Sequence, residues 1–249
     1  VPRGDVGITA GSRGIANIAE ITRAAGDWLR DHGAKPFLFP AMGSHNGGTA
    51  EGQRAMIESL GITEEAMGMP IRASMDVVKI GTISGTDFSP SNKDGLKSVP
   101  PGMRDVWMDR HAHESDGVLV LNRIKLHTCF SGPVQSGLTK MFVVGMGKTP
   151  SAATFHSVPT PMMKDMLLEM GKLLLDSGKI WAGLAILEVA HPGAAGPGGG
   201  VFFVRGGAPF PPAGGAHRPP PPRRRPPPPP PKKFTPPRSS PASISKRFV

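Results

Sequence analysis

The chain changes character near residue 190, and no other feature limits its folding so strongly. From residue 191 onward it holds ten Lys and Arg, no Asp or Glu, and 18 of the 29 prolines, including PPPPRRRPPPPPPKK at 219–233. Such a stretch has few apolar side chains to bury, and repeated proline favours an extended polyproline II rod without internal hydrogen bonds. Residues 191–249 are therefore expected to form a disordered Pro/Gly/Arg-rich tail, and residues 1–190 the folded body. In the body the remaining 19 basic residues meet all 19 acidic ones, so the formal charge of +10 sits in the tail. A pI near 10.2 thus implies no basic groove on a folded surface, and no specific nucleic-acid partner is expected.

The body alternates between two hydrophobic periods. DVGITA at 5–10 is a short apolar run ending at Gly11, and from Ile15 the apolar positions fall at helical spacing through Ile18, Ala19, Thr22, Ala25 and Leu29. Gly33 stands where a left-handed helix cap belongs. PFLFPAMG is strand-like and leads into His45, a helix is expected over 49–60, and Thr63 followed by Glu64 and Glu65 marks another helix start. MDVVKIG and the almost wholly apolar GVLVLNRI are strand candidates, the second reading as a buried parallel strand. A Met- and Leu-rich helix over 161–176 precedes WAGLAILEV, the last expected strand. Strands alternating with helices predict an α/β layered, Rossmann-like domain with a parallel or mixed sheet and functional loops at the strand ends.

One cysteine, Cys129, excludes an intrachain disulfide and suits a reducing compartment. The N-terminus lacks the basic and apolar regions of a signal peptide, and no apolar run approaches the ~18 residues that cross a bilayer. A cytoplasmic protein without membrane association is the expectation.

Several residues stand out chemically. GSRG places Ser12, Arg13 and Gly14 between a strand and a helix, where free amides and a guanidinium can hold a phosphate. GMGKT at 145–149 imitates the end of a P-loop, but the glycine required five residues before Gly147 is Phe142, which excludes that motif. His45, His127 and His156 each sit in a loop context where imidazoles converge on metals or substrates. His111 and His113, in polar DRHAHES, are expected to be exposed. Cys129 beside His127 is weak support for a nucleophile and base pair, and a small packing residue is the simpler reading. Lys140, between apolar Leu138 and Met141, is open to two readings: a partly desolvated amine available for covalent chemistry, or a packed stem with its head in water.

Taken in order, GSRGIANI, PAMGSHNGGTAEGQ, PIRASMDVVKIG, NRIKLHTCFSG, SGLTKM and ATFH resemble the nickel-dependent lactate racemase family, in its N-terminal domain. The similarity covers roughly residues 5 to 188, and family members continue into a second domain, so the resemblance implies a C-terminally truncated member. It further implies a nickel pincer nucleotide tethered to Lys140, with His156 as the nickel ligand. Ser12, Arg13 and Gly14 match the family's phosphate-binding turn, although this chain has SRG in place of a Thr-Arg-Pro motif. His45 and His127 match the two acid/base residues. The implied activity is racemisation or epimerisation of a small 2-hydroxy acid by hydride transfer, in which two imidazoles exchange roles near neutral pH. Two rival readings stand beside it: a non-catalytic product whose basic Pro-rich tail binds partners, and another metal-assisted isomerase or dehydratase on the same scaffold.

Overall fold

In a computed structural model of the chain, the described residues are 1–84, 102–125, 134, 136–188 and 200–205. Strand β1 (Asp5–Ala10) leads through helix α1 (Ile18–Asp31) to β2 (Lys35–Pro40), after which come α2 (Ala50–Glu58) and α3 (Glu64–Met67). Strands β3 (Val77–Ser84) and β4 (Met103–Asp109) precede the short α4 (Arg110–Glu114) and β5 (Gly117–Arg123). Helix α5 (Leu138–Lys140) runs directly into a π-helical turn, Met141–Gly145, followed by α6 (Lys148–His156), α7 (Met163–Asp176), β6 (Ile180–Leu187) and β7 (Gly200–Arg205).

Five strands form one mixed sheet in the order β2-β1-β5-β6-β7, parallel except for the antiparallel β7. The α/β layered fold expected from the alternating periods is therefore present. Successive residues of a strand point to opposite faces, and here both faces are covered. Phe37, Phe39, Val118 and Val120 pack on one side with residues of β4, α6, α7 and the π turn. Leu38, Leu119 and Leu121 pack on the other with Leu29, Ile57 and Met67 of the α1 to α3 layer. A continuous apolar run such as GVLVL is what a strand buried on both faces requires.

The local signals read from the sequence act as expected. Gly33 takes a φ of 85°, open to glycine without steric cost, and the Thr49 and Thr63 hydroxyls accept the amides of Gly52 and Ala66, both at 3.1 Å, at the starts of α2 and α3. MDVVKIG is a strand as expected, and it pairs with β4 in a separate antiparallel ribbon outside the main sheet. Two expectations need correction. His111 and His113 are half-buried on α4, because Ala112 between them is drawn into the core. WAGLAILEV is not the last strand. The apolar VFFV within 200–205 falls in the stretch assigned to the tail, yet pairs with β6 along its length, so the sheet runs past residue 190. There Phe203 meets Trp181 and Trp28, with ring centroids 5.6 and 6.0 Å away. His127 and Cys129 lie outside the described residues.

Candidate functional site

The chain passes from β1 to β2 on one side and later places β5 on the other side of β1. In open α/β sheets this switch point opens a crevice beyond the carboxyl ends of the strands. The ladder between β1 and β5 runs from Val6 with Gly117 to Ile8 with Leu119. Beyond it the Thr9 hydroxyl bridges the gap, donating to the Leu121 carbonyl at 3.2 Å and accepting from the Leu121 amide at 2.9 Å. Above this floor is a cavity of about 320 Å³.

Four segments bring candidate side chains to its wall. Ser12 and Arg13 come from the turn after β1, His45 from the loop after β2, Lys140 from the end of α5 and His156 from the end of α6. Residues up to 144 positions apart, chosen from the sequence for their chemistry, thus line one space. Gly14 is not among the lining residues, although its neighbours Arg13 and Ile15 are. The C-terminal ends of β1 and β5 supply the floor, and the π turn supplies a wall through Met141 and Gly145. A π turn shifts the backbone hydrogen bond to an i to i+5 pattern, here Met146 N–H to Met141 O at 2.8 Å, and such turns often mark functional positions.

The Ser12 hydroxyl and His45 Nδ1 are 2.6 Å apart. Whichever tautomer the ring adopts, that contact engages Nδ1 and leaves Nε2 as the nitrogen that can exchange a proton with a ligand. Partial burial, then the charges of Arg13 and Lys140, lower the His45 pKa below its ordinary 6.5. Burial and Lys140 do the same to His156. Both imidazoles are accordingly biased toward the neutral form at neutral pH, the form that accepts a proton or binds a metal. The Lys140 ammonium lies 5.5 Å from the Phe155 ring centroid, and Phe155 meets the His156 ring edge-on at 5.1 Å.

Arg123 and Lys125 also line the cavity, and among its described lining residues there is no Asp or Glu. Arg13, Arg123, Lys125 and Lys140 give the lining a positive charge, which Glu188 offsets at Arg123. Glu188, at the end of β6, pairs with Arg123 and accepts the Ala16 amide at 2.6 Å, tying the turn after β1 to the end of β5. These bonds hold the Glu188 carboxyl below the usual carboxylate range. The sequence reading did not single out Arg123 or Lys125, but two cations directly after an apolar strand, in NRIK, are the signal that marks them.

The lysine of the P-loop-like GMGKT has a different part. Lys148 is fully buried, 3.1 Å from the equally buried Asp109 carboxylate, and it donates to the Pro40 carbonyl. Its ammonium is taken up by these buried groups. Burial pushes the Asp109 carboxyl up and the Lys148 amine down, each opposed by the charge of the other.

No family model matches this chain, and no curated protein matches it. Among solved structures it is similar to a protein from Thermotoga maritima at 15% identity, with a TM-score of 0.57, covering 83% of this chain and 51% of that one. It is also similar to the lactate racemase apoprotein from Thermoanaerobacterium thermosaccharolyticum at 16% identity, with a TM-score of 0.47, covering 82% of this chain and 46% of that one. The chain spans about half the length of these structures. At 15% identity the likeness to the Thermotoga maritima protein is one of fold alone.

Proposed function

We propose that this cavity is the active site of a racemase or epimerase of a small 2-hydroxy acid, used with a lysine-tethered nickel pincer nucleotide and, in a complete enzyme, a further domain. The observation that carries the reading is the meeting of Ser12, Arg13, His45, Lys140 and His156, five of the six described site residues of a motif series spread along the chain, in one cation-lined cavity at the switch point of the sheet. A carboxylate substrate and a phosphate-bearing cofactor both suit such a lining.

The donor set fits the cofactor. His156, kept neutral by burial and by Lys140, has the form of imidazole that ligates nickel. Lys140 supplies a primary amine at the same wall for the covalent tether, and the Ser12 and Arg13 turn would take the phosphate. When bound, the group would supply a hydride acceptor and donor. This chain's own residues handle the rest. His45, held through Nδ1 by Ser12, would take the hydroxyl proton of one enantiomer at Nε2 as that alcohol is oxidised, and return it only when the same enantiomer re-forms. Arg123 and Lys125 orient the carboxylate. The second acid/base falls to His127, on the strength of the motif series.

Co-expression with the cofactor's biosynthetic enzymes tests this. Intact mass is expected to show an adduct that Lys140→Ala removes, and His156→Ala is expected to lose nickel. His45→Ala should keep the adduct and the nickel while losing racemisation by about 10²-fold or more. Equal nickel content in wild type, Lys140→Ala and His156→Ala would overturn the assignment.

A further inference from the structure

The loop that carries His45 is gripped from behind by groups that play no part in the chemistry above. Gln53 is fully buried on α2, and its amide nitrogen donates to the Gly43 carbonyl at 2.8 Å and to the His45 carbonyl at 3.3 Å. Its amide oxygen faces Lys148 Nζ at 3.5 Å. Lys148 in turn donates to the carbonyl of Pro40, where the loop begins, and contacts Asp109 at 3.1 Å. Asp109 is anchored by accepting the Ala112 amide at 3.2 Å through Oδ1, while its other oxygen, Oδ2, is the one that faces the Lys148 ammonium. Lys148 holds a φ of 54°, costly for a residue with a Cβ.

A buried ion pair is a poor way to gain stability, because the desolvation of both charges offsets most of their attraction. A strained backbone at one member adds to the cost. Such an arrangement is accounted for when it fixes a geometry that apolar packing leaves loose. The geometry fixed here is that of residues 40–45: Pro40, Gly43 and His45 each give a carbonyl to Lys148 or Gln53, and the Gly43 amide is held by the Gly145 carbonyl at 3.0 Å.

We infer that Gln53, backed by the buried Lys148 and Asp109 pair, is a positioning residue that sets His45 against Ser12 in the cavity. Its catalytic consequence rests on the reading of His45 as an acid/base, but its structural content does not. The full chain, labelled with ¹⁵N and without cofactor, carries the test. Wild type is expected to show ring-nitrogen shifts for His45 of one fixed, hydrogen-bonded tautomer. Gln53→Met keeps the length of the side chain and removes its donors. It is expected to move those shifts to the exchange-averaged values of a free imidazole, with His32 unchanged. The charge-matched double variant Asp109→Asn/Lys148→Met is expected to move them part of the way, and it keeps the inference testable should Gln53→Met fail to fold. Wild-type shifts in both variants, or an averaged His45 ring in wild type, would overturn the inference. A change in Gln53→Met with none in the double variant would overturn the part given to the ion pair. In a loaded, racemising enzyme, Gln53→Met should lower kcat roughly ten- to hundred-fold with KM unchanged. Loss of the racemase reading leaves the spectroscopic result standing.

Discussion

Lys140 bears on both described histidines of the cavity, because its charge disfavours the protonated form of His45 and of His156. Replacing it with an uncharged side chain of similar length removes that repulsion. Lys140→Met should therefore raise the midpoint at which His45 takes up its proton, as followed by NMR titration. The rise should stop short of 6.5, since burial, the largest cause of the lowering, and Arg13 both remain. An unchanged or lower midpoint would contradict this electrostatic coupling. Lys140, His45 and His156 were legible in the sequence because each is an unusual residue type in a glycine-rich or apolar setting. The pairing of Gln53 with Lys148 was not, because it joins residues 95 positions apart and nothing local distinguishes a buried Gln from an exposed one.

Among the elements, the π turn depends on one close approach. A Cβ at Gly145 would lie 2.4 Å from the carbonyl oxygen of Ala41, a backbone atom that cannot swing aside. Gly145→Ala is expected to cost about 1–3 kcal/mol through forced separation of the π turn from the end of β2, read as a lower Tm and denaturant midpoint. Unaltered stability would mean the two segments part freely. β1, β2, β5 and α7 were legible because their periods persist over six or more residues. β4 was not, since MRDVWMD mixes charge into a strand whose partner, β3, is also only partly buried. The π turn leaves no periodic mark in five residues, and its register comes from packing against β5 and α7.

For the whole molecule, the sheet extends beyond the compositional break. Val1–Gly215 is one compact unit, and β7 covers the edge of β6 while placing Phe203 against Trp181 and Trp28. A chain ended at residue 190 should be less stable than one ended at residue 205 by about 1–3 kcal/mol, the order of two aromatic contacts. Its tryptophan emission should shift to longer wavelength. Equal midpoints in urea would show that β7 adds nothing. Among the described residues no helix is long and apolar enough to cross a membrane.

The sequence by itself determined the α/β class, most strands of the parallel core, and the chemical types that line the cavity. These follow from periodicity and from residues acting over short separations, where backbone geometry alone decides which side chains share a face. Only the tertiary structure decided that β3 leaves the main sheet, that β7 joins it, and that Lys148 turns inward to Asp109 instead of outward to a phosphate. Each of those outcomes depends on which distant surface is available to bury an apolar face or to satisfy a charge, and that is a property of the assembled fold.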